Sequence, residues 1–179
     1  MADHISTAQL ESFLHELGKR YPKPATLYLL GGSALVLLGG SRPTLDIDYV
    51  GIDIPGLWND LQRLIAQLAV ELDLKIEAVP YDEMIPPLPD TTQRNIAIGK
   101  YGTIQVYVLD PYAMALGKLD RGFPTDLEDV GFLLQREFIE FASLEKMALE
   151  ASRHAREYDL NPKQMQASLE TVRQLLDAL

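Results

Sequence analysis

LYLLGGSALVLLGGSRPTLDIDYV, residues 27–50, is the stretch of sequence that decides the fold. Its first residues continue an almost wholly apolar run, 26–30, which predicts a buried strand. Two glycines at positions 31 and 32 turn the chain into a short helix predicted for residues 33–38. Partial alternation over residues 44–51 predicts the next strand. The stretch therefore predicts strand, glycine turn, short helix and strand in immediate succession.

The turn Gly31-Gly32-Ser33 has the residue types of a phosphate-binding turn. Glycines lack a Cβ atom, so a ligand can approach the backbone closely. The helix that follows directs unpaired N–H groups and its positive end outward, which suits an anion. Ser33 adds a hydroxyl at the same place. The turn by itself is also compatible with a purely structural role, because such turns are common without a ligand.

Thr44, Asp46 and Asp48 are two residues apart on the predicted strand, so their side chains share one face. Two carboxylates on one face repel each other unless a cation lies between them. Magnesium needs one or two protein carboxylates in addition to substrate phosphates. We therefore expect Asp46 and Asp48 to bind magnesium, with a solvated strand face as the alternative.

The rest of the chain predicts an α/β (α+β) fold, in which helices flank a mixed sheet and a helical region follows it. The further predicted elements are helices at 6–17 and 57–72, strands at 74–79, 95–98 and 103–109, a loop at 80–90, and helices after residue 111. In the first helix Ser6 and Gln9 have the spacing of a capping box, and Gly18 is predicted to end the helix. We expect a core domain at residues 1–110 and a helical C-terminal region at 111–179 that packs on it.

Composition excludes several classes of protein. The chain of 179 residues has no cysteine and a formal net charge of −10 at pH 7. Disulfides and thiolate metal sites are therefore excluded, and a long nucleic acid is not the expected partner because the overall field repels it. The sequence has no apolar run of about 20 residues and no secretory signal, so we expect a cytoplasmic protein without a membrane partner.

The two motifs together resemble the nucleotidyltransferases of the DNA polymerase β superfamily. In that family the turn, here Gly31, Gly32 and Ser33, holds the triphosphate, and the aspartate pair, here Asp46 and Asp48, binds the metal ions. The resemblance implies magnesium-dependent transfer of a nucleotidyl group from a nucleoside triphosphate to a hydroxyl of an RNA end, a protein or a small molecule.

Arg42 and Thr44 resemble the small, toxin-related branch of the superfamily, which implies that both contact the nucleotide and that a cognate antitoxin protein is a possible partner. The likeness covers residues 27–134. Its second half implies that Lys118 and Asp126 face the nucleotide site, with Asp129 one turn further on. The alternative is that these three residues form ordinary helix-surface ion pairs.

The sequence departs from the family at a third carboxylate. The expected strand carries Gln105 and Tyr107 where an acid is common, so Asp110 or Glu77 has to replace it, or the site holds one metal ion. A non-catalytic nucleotide- or protein-binding module on the same fold is therefore the alternative function. An acidic partner that neutralises a basic enzyme is a further one.

Overall fold

The computed structural model describes residues 4–52 and 58–178. The chain forms two compact units. One contains the described residues up to 79 together with 96–109, and the other contains 80–95 together with the described residues from 110 onward. The predicted start of the third helix at residue 57 lies outside the described residues.

The first unit contains a five-stranded mixed sheet in the order β3-β2-β1-β5-β4. β1 pairs antiparallel with β2 and parallel with β5, β2 pairs parallel with β3, and β4 pairs antiparallel with β5. The strands are β1 Ala25–Leu30, β2 Ile47–Ile52, β3 Ile76–Ala78, β4 Ile96–Tyr101 and β5 Ile104–Val108. The helices of this unit are α1 Thr7–Arg20, α2 Gly31–Leu37 and α3 Trp58–Glu71.

The second unit is helical. Its elements are α4 Tyr81–Met84, α5 Thr91–Arg94, α6 Pro111–Arg121, α7 Pro124–Gln135, α8 Phe141–Ser152, α9 Ala155–Tyr158 and α10 Pro162–Asp177. The short helix α4 lies in a segment that the sequence predicted as a loop. The predicted fold class, a mixed α/β sheet with helices and a helical C-terminal region, is confirmed. The predicted boundary at residue 110 stays a prediction.

One face of the sheet is buried, because buried and partly buried side chains alternate along its strands. Leu27 and Leu29 of β1 are fully buried, as is Ile47 of β2. Tyr28, between Leu27 and Leu29, and Asp48, next to Ile47, point to the opposite face and are only partly buried. Side chains two residues apart point to the same side of a strand, so this second face is the one on which polar groups of β2 are accessible.

α1 begins with the predicted capping box. The Gln9 backbone N–H donates to Ser6 Oγ at 3.2 Å, and the Ser6 N–H donates to Gln9 Oε1 at 2.9 Å. The prediction that Gly18 ends this helix is wrong, because the helix continues to Arg20. A Cβ atom on Gly18 would collide with the backbone oxygen of Tyr101. Gly18 is therefore needed for close packing of α1 on the β4–β5 hairpin, not for helix termination.

β2 begins three residues later than predicted, at Ile47. The Ile5 N–H donates to the Thr44 carbonyl at 2.8 Å, and the Thr44 hydroxyl donates to the Asp46 carbonyl at 3.1 Å. Residues 44–46 thus form a locally hydrogen-bonded turn, since a threonine hydroxyl competes with strand pairing for backbone groups. Of the helices that the structure describes, none has the length and apolar character needed to cross a membrane.

Candidate functional site

Three carboxylates meet at one edge of the sheet. Asp46 lies just before β2, Asp48 lies within it, and Glu77 of β3 pairs in register with Asp48. One oxygen from each of the three lies within 4.8 Å of the others. The prediction that Asp46 and Asp48 lie on one strand is wrong, because Asp46 precedes β2, but their carboxylates are close together and Glu77 joins them. We call these three residues the acidic cluster.

Lys75 contacts two carboxylates of this cluster. Its Nζ lies 2.9 Å from Glu77 Oε1 and 3.3 Å from Asp46 Oδ2. The two carboxylates, Glu77 first and Asp46 second, raise the pKa of Lys75 above its ordinary value because both accept hydrogen bonds from its charged form. The Lys75 side chain is 59% exposed, so this pairing is screened by water.

The glycine turn packs directly against the cluster. Gly31 has a φ of +68°, and a Cβ atom there would overlap Oδ2 of Asp48. The pairing of Leu30 with Asp48 across β1 and β2 produces this approach. A Cβ atom on Gly32 would lie 2.6 Å from the Thr44 hydroxyl oxygen. Both glycines are therefore required by contacts with the candidate site.

The structure also brings Arg42 and Ser33 to this turn. Arg42 Nη2 lies 3.8 Å from the position that a Cβ atom on Gly32 would take. Ser33 is fully buried, and its hydroxyl donates to the Leu30 carbonyl at 3.2 Å. In this conformation the Ser33 hydroxyl stabilises the turn, and contact with a phosphate stays a prediction.

The donor set of the cluster fits a hard divalent cation. All three ligands are carboxylates, which magnesium and manganese prefer to softer donors. The chain provides the oxygens on two adjacent strands, and the missing side chain of Gly31 leaves room for the Asp48 carboxylate in this arrangement. The residues present could therefore hold one such ion together with ligands from a substrate.

Lys118 lies in a buried ion-pair network within the second unit. Its Nζ is 2.6 Å from Asp129 Oδ2 and 3.5 Å from Asp126 Oδ1. Arg121 Nη2 donates to the same Asp126 oxygen at 2.6 Å. Asp126 Oδ2 is buried and has no hydrogen-bond partner among the described residues. The alternative of solvated surface pairs is wrong, because Lys118, Asp126 and Asp129 are each at most 4% exposed.

Asp110, the second candidate for the missing third carboxylate, has a structural role in the second unit. It is fully buried, and Arg94 contacts it with Nη2–Oδ2 at 2.6 Å and Nε–Oδ1 at 3.1 Å. Its Oδ1 also accepts the Tyr112 N–H at 3.0 Å, which caps α6. Glu77, the other candidate, lies beside Asp46 and Asp48.

The model of a protein family described as "Nucleotidyltransferase of unknown function (DUF6036)" matches residues 7–174. This span covers both units and almost the whole described chain. The chain belongs to this nucleotidyltransferase family. No curated protein and no solved structure gives a significant match.

The predicted resemblance to a small nucleotidyltransferase is therefore confirmed, whereas the likeness to the toxin-related branch stays a prediction. Sequence reasoning about this nucleotidyltransferase missed Lys75. Its spacing of two from Glu77 on a predicted strand placed both on one face. The spacing did not reveal that β3, which contains Glu77, pairs with β2.

Proposed function

We propose that this protein transfers a nucleotidyl group from a nucleoside triphosphate to a hydroxyl acceptor with the help of magnesium. The observation that carries the proposal is the acidic cluster, whose oxygens lie within 4.8 Å of one another in a chain of the nucleotidyltransferase family. Its contact with the turn at Gly31 supports the same function, because a metal–triphosphate needs carboxylates and phosphate donors side by side.

Gly31 and Gly32 are assigned to the triphosphate. They begin α2, where backbone N–H groups have no partner within the helix. Arg42 adds a guanidinium beside Gly32, and a guanidinium can donate two hydrogen bonds to one phosphate. Thr44 shapes this side of the site by its hydroxyl contact with Asp46, and Ser33 holds the turn and can donate to a phosphate after rotation.

Asp46, Asp48 and Glu77 are assigned to the metal ion, which when bound neutralises charge developing on the phosphoryl oxygens. Glu77 takes the place of the third carboxylate, for which the strand with Gln105 and Tyr107 offers no acid. Its side chain is 52% exposed, so an acceptor can reach it. The presence of a third acid beside the aspartate pair favours catalysis over the alternative of a binding module.

In the reaction that we propose, the acceptor hydroxyl oxygen forms a bond to the α-phosphorus of the triphosphate. The bond from that phosphorus to the β-phosphate oxygen breaks, and pyrophosphate leaves with the electron pair. We assign the carboxylate of Glu77 to accept the hydroxyl proton, which water then removes. Arg42 and the N–H groups of the turn hold the triphosphate in place during this exchange.

Lys118 and Asp126 are proposed to belong to the nucleotide-binding machinery, as the resemblance implies. Lys118 would donate to the triphosphate, and Asp126 together with Asp129 would fix the direction of its ammonium. The distances of 3.5 and 2.6 Å to these carboxylates support the orienting role. Asp126 Oδ2 has no hydrogen-bond partner among the described residues, so it can accept a hydrogen bond from a ligand.

The acceptor is proposed to be an RNA end, a protein side chain or a small molecule, and a cognate antitoxin protein is proposed as a partner of a cytoplasmic enzyme. The test is incubation of the purified protein with each nucleoside triphosphate carrying a labelled α-phosphate, with magnesium, and with total RNA, a protein extract or a small-molecule extract. Label transferred to any of these acceptors supports the enzyme.

The matched controls are Asp48→Asn, which should abolish transfer, and Asp60→Asn, which should not. Asp60 is a carboxylate of the same unit that pairs with Lys23 at 2.6 Å outside the acidic cluster. Saturable triphosphate binding without transfer would instead support the binding module. Transfer that survives Asp48→Asn would contradict the proposed site.

A further inference from the structure

We propose that Lys75 is a tethered competitor of the metal ion: its ammonium partly neutralises the acidic cluster in the metal-free protein and leaves when a divalent cation binds. The inference rests on the proposed function, because it takes the acidic cluster as the metal site. It adds a residue that sets how strongly the site binds metal in the absence of a substrate.

The backbone fixes Lys75 beside the cluster. The Ile47 N–H donates to the Lys75 carbonyl at 2.9 Å, which continues the parallel pairing of Ile47 with Ile76 and of Asp48 with Glu77. Lys75 therefore lies just before β3, beside the start of β2, which Asp46 precedes directly. This placement explains why one ammonium reaches both carboxylates, at 3.3 and 2.9 Å.

The ammonium and a metal ion would compete for the same oxygens. Lys75 donates to Asp46 Oδ2 and contacts Glu77 Oε1, and a lysine ammonium has donors only, so it cannot itself bind a metal ion. A divalent ion on these carboxylates would carry its double positive charge to within a few ångströms of the Lys75 ammonium. The repulsion between ion and ammonium rises as their distance shortens.

Departure of the lysine costs little. Its side chain is already 59% exposed, so the ammonium can return to water by rotation about its own side-chain bonds. The pairing that it gives up is a solvent-exposed one, and such pairs are weak. The effect on metal affinity is therefore modest, and we expect the competition to change the dissociation constant roughly two- to tenfold.

The test is binding of Mn²⁺ alone, measured from the electron paramagnetic resonance signal of the free ion. Wild type is compared with Lys75→Met and Lys23→Met. Lys23 is the matched control, since its Nζ pairs with Asp60 at 2.6 Å and the substitution removes the same charge. We expect Lys75→Met to bind Mn²⁺ roughly two- to tenfold more tightly than wild type, and Lys23→Met to bind like wild type.

Equal or weaker Mn²⁺ binding by Lys75→Met overturns the competition. If Asp48→Asn nevertheless abolishes Mn²⁺ binding by the otherwise wild-type protein, the metal site of the proposed function stands and only the role of Lys75 fails. Absence of Mn²⁺ binding from both wild type and Lys75→Met overturns the inference and the metal site together. An equal gain in Lys23→Met would show a general charge effect and would also overturn it.

A second measurement follows the lysine itself. Reductive methylation with ¹³C-formaldehyde labels the lysine ammonium groups and keeps their charge, and Lys75→Met identifies the Lys75 signal by its loss. Saturating Mg²⁺ should shift this signal in wild type and leave it in place in Asp48→Asn. A Lys75 signal that Mg²⁺ does not move would overturn displacement even if the affinities differ.

Discussion

The carboxylate of Asp48 occupies the space that a side chain on Gly31 would fill. The two residues belong to different elements, the first turn of α2 and the strand β2, and the pairing of Leu30 with Asp48 brings them together. A backbone position with φ of +68° and no room for Cβ accepts glycine alone without rearrangement. Gly31 thus allows the glycine turn, proposed to bind phosphate, and the Asp48 carboxylate, proposed to bind the metal ion, to lie in direct contact.

Replacement of Gly31 by alanine should displace the Asp48 carboxylate and abolish metal-dependent triphosphate binding. The left-handed backbone alone costs a residue with Cβ about 1–2 kcal/mol, so we also expect a lower melting temperature. Gly131→Ala is the matched control, because nothing lies within 4 Å of its added Cβ and the residue is inside α7. That variant should be about 0.5–1 kcal/mol more stable than wild type. Calorimetric titration with a magnesium triphosphate and thermal melts check both variants, and intact binding by Gly31→Ala would contradict the site.

The double variant Asp46→Asn with Asp48→Asn should lose magnesium-dependent nucleotide binding while the metal-free fold keeps its stability. Like charges on neighbouring positions repel, so their removal should not destabilise the protein, and Lys75 keeps Glu77 as a partner. Thermal melts of wild type should show a higher melting temperature with magnesium and triphosphate than with a chelator, and the double variant should show no difference. A large drop of its melting temperature in chelator would show that the pair is structural.

Lys118→Met should destabilise the second unit. Lys118 is 4% exposed, and its removal leaves the buried carboxylates of Asp129 and Asp126 without their shared cation. Loss of one partner of a buried ion pair costs about 3–5 kcal/mol. Urea denaturation measures the loss, and Lys100→Met, at an exposed position of β4, should change stability by less than about 0.5 kcal/mol.

The double variant Lys118→Met with Asp129→Asn should recover part of this stability, because the buried carboxylate that lost its ammonium partner is also removed. Below its melting transition, Lys118→Met should bind a nucleoside triphosphate roughly ten- to a hundredfold more weakly, and the nucleoside unchanged. Unchanged triphosphate affinity would remove Lys118 from the proposed nucleotide contacts and leave it a purely structural residue.

Alkaline unfolding should depend on Tyr81. Burial, followed by the charges of Asp110 and Asp82, raises the pKa of Tyr81 far above the ordinary tyrosine value of about 10. As the pH rises, the unfolded state therefore loses the Tyr81 proton before the folded state does. The contribution of Tyr81 to the free energy of unfolding is fully present below pH 10 and falls above it, by at most about 1.4 kcal/mol per pH unit. In Tyr81→Phe the free energy of unfolding should fall less steeply between pH 10 and 11.5. Denaturation curves at several pH values check the slope, and identical slopes would contradict the prediction.

Local sequence signals predicted most of the first unit because each depends on neighbouring residues. The capping box of Ser6 and Gln9 forms as predicted, since a cap needs only a donor and an acceptor three residues apart. The start of β2 was predicted too early, at Thr44. The Thr44 carbonyl accepts a hydrogen bond from the Ile5 N–H, and a contact between such distant parts of the chain leaves no local sequence signal. Gly18 was misinterpreted for the same reason, since the backbone that it contacts lies at Tyr101.

The sequence by itself determined the glycine turn, the spacing of two between Asp46 and Asp48 and the family to which the chain belongs. A side-chain period of two fixes which residues share a face of one strand. It does not fix which strand lies alongside, and only the tertiary structure placed β3 next to β2. That pairing brings Glu77 to Asp48 and Lys75 to Asp46, each across 29 positions of sequence, and so decides which carboxylate joins the aspartate pair and that Lys75 contacts the cluster.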